Sequence, residues 1–377
     1  MILIEKKSEC TGCTACASIC PNSVINMIED NEGFVYPQIT NEDRCIKCGK
    51  CIAVCPVKNS IEKENAPTAY AAKNKDISIQ KQSSSGGVFS ALASLIIKNG
   101  GVVYGVSMDN FKVHHSKADK LESLVKFRGS KYVQSDLKNT FKEIKEELIK
   151  GKTVMFSGTP CQVEGLTTFL GEKYNNLITI DFACHGVPSP KVLRLYLYNL
   201  ENKIGKKLSK VSFRDKKINW RRFSFKAEFI DGSQFSEPLE KNLYLRGFTD
   251  NLFLRPSCYD CAFKKTSRVS DITVADFWGI QDTYPEHYDE MGVSLCCANS
   301  LSGLTLIKQA SELLEINEVD FEKAVSRNSA YTYSVRPSNM RRWFFEHLDK
   351  VSIEKNIMNC LNPNLVTRIA IKLNRKK

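Results

Sequence analysis

The sequence predicts a multidomain chain that combines α+β and α/β organisation: a small cysteine-rich N-terminal domain, a mixed α/β core and a helical C-terminal tail. Three observations predict it. At 377 residues the chain is too long for one small core, and two or three domains is the natural expectation. Eight of its 15 cysteines crowd into the first 55 positions in a repeated pattern. From residue 69 onward, short apolar runs alternate with helical patterns, the rhythm of strands joined by crossover helices. The expected divisions are residues 1–60, a linker at 61–68, the core at 69–319 and a basic helical segment at 320–377.

Composition narrows the class. Hydrophobic residues at 42% and charged residues at 25% are ordinary for a soluble globular protein, and no apolar stretch reaches membrane-spanning length. The opening MILIEKKSEC turns charged after four residues, unlike a secretory signal, which places the protein in the cytoplasm. A reducing compartment does not sustain a disulfide framework, so fifteen cysteines point to metal or redox chemistry. The net charge of +12 suits an acidic partner, an anionic cofactor or an anionic surface. Nucleic acid is disfavoured, because no recognisable binding module or basic–aromatic repeat accompanies the charge.

In the N-terminal segment, Cys10, Cys13, Cys16 and Cys20 precede Pro21, and Cys45, Cys48, Cys51 and Cys55 precede Pro56. The pattern CxxCxxCxxxCP therefore occurs twice. Three closely spaced thiolates wrap one face of a four-iron cluster, and the fourth reaches the other cluster of a pair. The implied sets are Cys10, Cys13, Cys16 with Cys55, and Cys45, Cys48, Cys51 with Cys20. Zinc knuckles, the alternative, leave the third cysteine and the proline of each repeat unexplained. Residues 1–60 resemble bacterial-type two-cluster ferredoxins. The polar KNSIEKENAPT that follows reads as the linker.

AYAAK and GGVVYGVSM read as strands flanking a helix in which Val88, Leu92, Leu95 and Ile96 share a face. The amphipathic LKNTFKEIKEELIKGK, the strand TVMFSG, the helix at CQVEGLTTFL and the strand LITIDFAC follow. This order predicts a largely parallel sheet. FSFKAEFIDGSQF reads as an inserted hairpin turning at Asp231 and Gly232, and DITVADFWG and GVSLCCANS read as later strands. Three loops belong outside the carboxyl ends of strands, where ligands sit: SSSGG, SGTPCQ and ACHGVPSP. In SSSGG, serine hydroxyls are expected to cap the next helix while Gly86 and Gly87 let backbone approach an anion; a plain helix cap is the alternative. GKT at 151–153 lacks a P-loop's upstream glycine, since Glu146 stands there, and no GxGxxG follows a strand.

Seven cysteines remain beyond the N-terminal repeat. Cys161 and Cys184 follow successive predicted strands and share a sheet edge if those strands are parallel; Cys258 and Cys261 have CxxC spacing. Together they form a candidate third four-iron site. A Cys184–His185 nucleophile pair is the competing reading, opposed by the outward divergence of adjacent side chains on extended chain, and buried inert thiols are a third. Cys296 and Cys297 read as core, and Cys360 is assigned nothing.

SSSGGVFSAL, FRGSKYVQSD, FSGTPCQVEGL, DFACHGVPSP, CYDCAFK and SDITVADFWG together resemble the family of the beta subunits of coenzyme F420 hydrogenase and dehydrogenase, which also includes 7-hydroxymethyl chlorophyll a reductase. The likeness spans roughly residues 65–330. It implies a flavin- and cluster-binding core holding FAD and a four-iron cluster, with hydride exchanged between the flavin and a deazaflavin or other organic donor or acceptor. By the same resemblance Ser85, Gly86 and Gly87 approach the FAD phosphates, while Arg128, Ser130, Lys131, Gln134 and Thr159 flank the flavin. Asp276 and Trp278 are expected to shape the site, although packing explains the tryptophan equally well. No catalytic residue is assigned. The fused ferredoxin gives the flavin its own electron wire, so a redox protein or partner enzyme is expected. The alternative is an electron-transfer component of a larger redox complex with no substrate site of its own. The tail LVTRIAIKLNRKK, with Leu365, Ile369 and Leu373 on one helix face, offers peripheral membrane contact as a minor reading beside a solvated helix end. The sequence leaves the oligomeric state open.

Overall fold

Small residues on either side of Cys13 bend the N-terminal chain into left-handed turns, at Gly12 (φ +71°) and Thr14 (φ +65°). The one-turn helix α1 (Ala15–Ile19) follows; the second repeat turns at Gly49 (φ +74°) into α2 (Lys50–Ala53). Between the repeats, β1 (Ile25–Glu29) and β2 (Val35–Ile39) pair antiparallel with Ile25 opposite Ile39. Asp30 closes their turn by accepting the amides of Glu32 and Phe34 at 3.0 Å. The structure, a computed structural model, describes residues 4–64 and 66–363. The tail sequence beginning at Leu365 lies outside the described residues.

The core then runs β3 (Thr68–Asn74), α3 (Ile77–Gln82), α4 (Val88–Lys98), β4 (Val102–Asp109), β5 (Lys112–Ala118), α5 (Thr140–Ile149), β6 (Val154–Ser157), α6 (Pro160–Leu170), β7 (Leu177–Phe182) and α7 (Pro190–Ile204). An inserted unit follows: β8 (Leu208–Asp215), β9 (Ser224–Phe229), β10 (Gln234–Pro238) and α8 (Leu243–Thr249). The chain returns through β11 (Ile272–Asp276), α9 (Ile280–Thr283), β12 (Ser294–Ala298), α10 (Leu301–Gln309) and β13 (Leu314–Val319). It ends in α11 (Phe321–Val325), α12 (Ser329–Thr332), α13 (Arg341–Glu346) and α14 (Ile353–Leu361).

The main sheet has eight strands in the order β13-β3-β12-β11-β7-β6-β4-β5. Here the expectation of a largely parallel sheet needs correction. Only the central pairs β11–β7, β7–β6 and β6–β4 are parallel; the pairs on either side are antiparallel. Parallel neighbours require a long crossover, which α5 and α6 supply at the centre. β4 and β5 instead join through Asn110 and Phe111, both at positive φ, a tight hairpin that reverses direction. The inserted hairpin β9–β10 turns at Asp231 and Gly232 as expected, and β8 completes a separate three-stranded antiparallel sheet.

Alternation within strands covers both faces of the large sheet. Val103 and Met155 face the α4 side with Leu92 and Ile96, whereas Val154 and Phe156 face α5 and α6 with Phe141 and Leu166. Cys296 and Cys297, both fully buried, point to opposite faces as core residues. The tail is not a separate segment: Phe344, Leu348, Ile353, Ile357 and Cys360 pack with α7, α8 and the inserted sheet. Among the described residues, no helix is long and apolar enough to cross a membrane.

The N-terminal domain docks on the α5–α6 face, burying Cys13 and Val54 among Phe141, Val163 and Leu166. Gly165 on α6 permits this approach, because a Cβ there would lie 2.9 Å from Cys13 Cβ and 3.0 Å from its sulfur. In the linker, Lys63 donates to the Val269 carbonyl at 2.8 Å and Glu62 pairs with Lys265 at 2.9 Å. Gly165→Val should overpack the docking face at a cost of about 1–3 kcal/mol and speed proteolysis within the linker; cleavage at the wild-type rate would show that Gly165 does not set the domain contact.

Candidate metal centres

In the first N-terminal set, Cys10, Cys13, Cys16 and Cys55 line one cavity, with Thr11 and Gly12 on its wall. These are the four residues grouped from their spacing. Burial pushes the Cys13 thiol up to about 12, with the neighbouring sulfurs of Cys10 and Cys55 adding to the rise. Cys16 is shifted in the same direction, again chiefly by burial. Such thiols become thiolates only when an electrophile such as iron replaces the proton. Of the second set, Cys20, Cys45 and Cys51 are half-buried against Val24 and Ile25, and Cys48 is exposed. The second set therefore lies nearer solvent than the first.

The core set is assembled from three distant segments. Parallel pairing of β6 and β7 brings their carboxyl ends side by side, so the loops carrying Cys161 and Cys184 adjoin. Cys161 lies in the first turn of α6, which Thr159 and Gln162 cap reciprocally; the Thr159 hydroxyl is 3.1 Å from the Cys161 sulfur. Gly186 (φ +148°) lets the next loop pass close to Cys258, where the Val187 amide donates to that residue's sulfur at 3.4 Å. Cys161, Cys184, Cys258 and Cys261 all line a single cavity.

The chemistry of this cavity fits an anionic four-thiolate group. Burial holds Cys184 up at about 12 and Cys258 at about 11, and raises Cys161 and Cys261 as well. Among the described residues, the Lys264 ammonium on the same wall is buried without a hydrogen-bond partner. Burial lowers its pKa, and proximity to Cys184, Cys261 and Cys258 opposes that shift. An unpartnered buried ammonium is costly, and a cluster of net negative charge would compensate it. Among the described residues, no group of three or more His, Cys, Asp or Glu side chains is gathered for a single metal ion. A four-iron cluster makes a different demand, since each of its thiolates binds its own iron. The Cys184–His185 nucleophile reading lacks its geometry: His185 Nε2 lies 2.6 Å from Asn251 Oδ1, its ring packs edge-on against Phe248, and Cys184 favours the protonated form.

The residues grouped for the flavin divide between two places. Ser85, Gly86, Gly87, Arg128, Ser130 and Lys131 gather around the α3–α4 loop. Ser130 N–H donates to Ser84 Oγ at 2.7 Å, Arg128 Nη1 donates to Gln82 Oε1 at 2.7 Å, and Lys131 Nζ donates to the Lys126 and Arg128 carbonyls. Gln134 and Thr159 stand apart, with the cysteines. Gln134 Oε1 accepts from Arg255 at 2.9 Å, and Thr159 lines the core-cysteine cavity. The expected serine cap is also not made. Gly87 (φ +83°) occupies the N-cap of α4, while Ser84 bonds Ser130 and Ser85 donates to the Val293 carbonyl at 2.9 Å. Gly86 is required by packing, since a Cβ would lie 2.4 Å from the Ala72 carbonyl oxygen.

Lys216, which sequence reasoning missed, clamps this loop by donating to the carbonyls of Gln80 (2.7 Å), Ser85 (3.1 Å) and Met291 (2.6 Å). Burial brings its pKa down to about 8, with the nearby Arg214 charge acting in the same direction. Arg214 itself pairs with Asp276, and Trp278 stacks on Trp220 at 4.8 Å between ring centres. Arg255, Lys264 and Thr11 were also missed; a basic residue following CYDC is the one local signal, and it marks only Lys264.

The doubled cysteine pattern of the N-terminal domain defines an iron–sulfur redox protein. Sequence families described as 4Fe-4S dicluster domains match residues 9–59 and 37–86. Residues 151–324 match the family described as the C terminus of the coenzyme F420 hydrogenase/dehydrogenase beta subunit. The chain is 23% identical over 353 residues to the F component of the F(420)H(2) dehydrogenase of Methanosarcina mazei, covering 87% of this chain and 95% of that protein. A chain of the F420-reducing [NiFe] hydrogenase complex from Methanosarcina barkeri aligns with a TM-score of 0.47 at 17% identity, over 71% of this chain and 93% of that one.

Two substitutions probe the core cavity. Cys161→Ser should remove about four irons per chain, and full wild-type iron would exclude Cys161 as a ligand. Lys264→Met should raise the denaturation midpoint of the iron-free protein, by about 1–3 kcal/mol of relieved desolvation; an unchanged or lower midpoint would mean that the ammonium is not uncompensated.

Proposed function

We propose that this chain carries single electrons between a flavin in its α/β core and an external redox partner, through a core four-iron centre and two N-terminal ones. The observation that carries this reading is the placement of Thr11. It lies between Cys10 and Cys13 and lines both the first N-terminal cavity and the core-cysteine cavity. The two cavities therefore share Thr11 as a wall residue, and the second N-terminal set, with Cys48 exposed, provides an outlet to a redox protein or partner enzyme. FAD, when bound, would supply the exchange between a hydride from a coenzyme F420-like deazaflavin or other organic substrate and single electrons.

The chain's own share of that chemistry is binding and orientation. Lys216 fixes the carbonyl side of the SSSGG loop, and the Arg128 guanidinium beside it is a cation suited to an anionic cofactor. The matching family and the relative from a dehydrogenase support an oxidoreductase role. A second reading, an electron-transfer component with no substrate site, is favoured by the position of Gln134 and Thr159 at the cysteine centres rather than at the loop.

Anaerobically purified protein should carry about twelve irons and one FAD per chain. About eight irons without flavin would leave the ferredoxin and overturn the core assignment. With flavin bound, its bleaching by reduced deazaflavin, NADH or NADPH separates the two readings: reduction by any of them supports the enzyme, and resistance to all while a reduced ferredoxin still donates supports the relay.

A further inference from the structure

Arg255 is fully buried and extends from the core into the N-terminal domain. Its Nε donates to the Cys10 carbonyl at 2.7 Å, Nη1 to Gln134 Oε1 at 2.9 Å and Nη2 to the Val35 carbonyl at 2.9 Å. The same Nη2 is 3.6 Å from the Cys10 sulfur. Its guanidinium lies over the Tyr36 ring at 4.3 Å. Among the described residues it has no carboxylate partner; its other acceptors are carbonyl and amide oxygens. At the other end, Arg255 lines the core-cysteine cavity, and its carbonyl accepts the Cys258 amide at 2.9 Å. One buried cation thus touches a candidate ligand of one centre and stands on the wall of the next.

We propose that the buried Arg255 guanidinium raises the reduction potential of the Cys10, Cys13, Cys16, Cys55 centre. This rests on the reading that both sets hold four-iron clusters. Reduction adds one negative charge to a cluster, and a nearby guanidinium with an N–H directed at a ligand sulfur stabilises that added charge. In the protein interior this attraction is weakly screened. Two neighbours keep the guanidinium in place. Gln134 accepts from Nη1, and Gly12 leaves the required space, since a Cβ there would lie 2.7 Å from Gln134 Nε2 and 2.9 Å from Arg255 Nη1.

The test is an EPR-monitored redox titration of the whole iron-loaded protein, with iron counted in the same samples. Arg255→Gln should keep wild-type iron and lower the potential of one centre by about 59 mV, a tenfold change in its reduced-to-oxidised ratio. Arg255→Lys, which keeps the charge, should recover at least half of that shift. Should Arg255→Gln lose iron, Gln134→Glu decides, because a carboxylate against the guanidinium cancels its charge and should lower the same potential. Unmoved potentials in an iron-replete Arg255→Gln or Gln134→Glu protein would overturn the role of Arg255, as would equal shifts in Arg255→Gln and Arg255→Lys. Wild-type protein lacking the centres would instead overturn the ligand reading, and the role with it.

Discussion

A buried guanidinium shared between two domains is the constraint on which the arrangement of this protein depends. Arg255 cannot leave its carbonyl acceptors without stranding its N–H donors in the interior, and those acceptors belong to Cys10 and Val35 of the N-terminal domain. Its backbone immediately precedes the short turn bearing Cys258. The position of one cysteine cavity relative to the other is therefore set by hydrogen bonds that tolerate little displacement. A second domain tether, Arg341 to Glu32, joins the C-terminal helices to the β1–β2 turn through a bidentate pair. Helix α13 thus acts as a clamp across the N-terminal domain as well as a cover for the inserted sheet.

Sheet direction decides which chemistry can meet. Because β6 and β7 are parallel, Cys161 and Cys184 emerge at one edge, and β3 points the same way two reversals further across the sheet. The SSSGG loop consequently lies at the same edge, against the start of β12, where Gly86 N–H donates to Ser294 Oγ at 3.0 Å. An all-parallel sheet would put the amino ends of β12 and β13 at the opposite edge. The antiparallel flank is what supplies Ser294 and Met291 as partners for the loop and its Lys216 clamp.

The positive balance of the chain, +12, is partly internal. Lys264 and Arg255 are basic groups whose heads lie in the interior beside thiols, and burial of that kind is costly unless an anion accompanies it. The two residues stand on one cavity. This gives the charge a local meaning that whole-chain arithmetic hides, and it turns attention from an acidic partner to the cysteine sets themselves.

What the sequence determined by itself was whatever is encoded at short range. The doubled CxxCxxCxxxCP, the CxxC at 258–261, the amphipathic helices and the Asp231–Gly232 hairpin were all legible, because spacing along the chain sets them. Cys55, grouped by spacing with the first repeat, lines the cavity of that repeat. Strands β5 and β13 were missed, their short half-buried runs carrying little apolar periodicity. Only tertiary structure decided strand direction, the division of Gln134 and Thr159 from the SSSGG loop, and the roles of Thr11, Lys216, Arg255 and Lys264. In sequence, a lysine or arginine on a loop is indistinguishable from solvated surface charge. Its burial, and whether its partner is a carbonyl, a thiol or nothing, depends on contacts more than two hundred residues apart, as between Arg255 and Cys10.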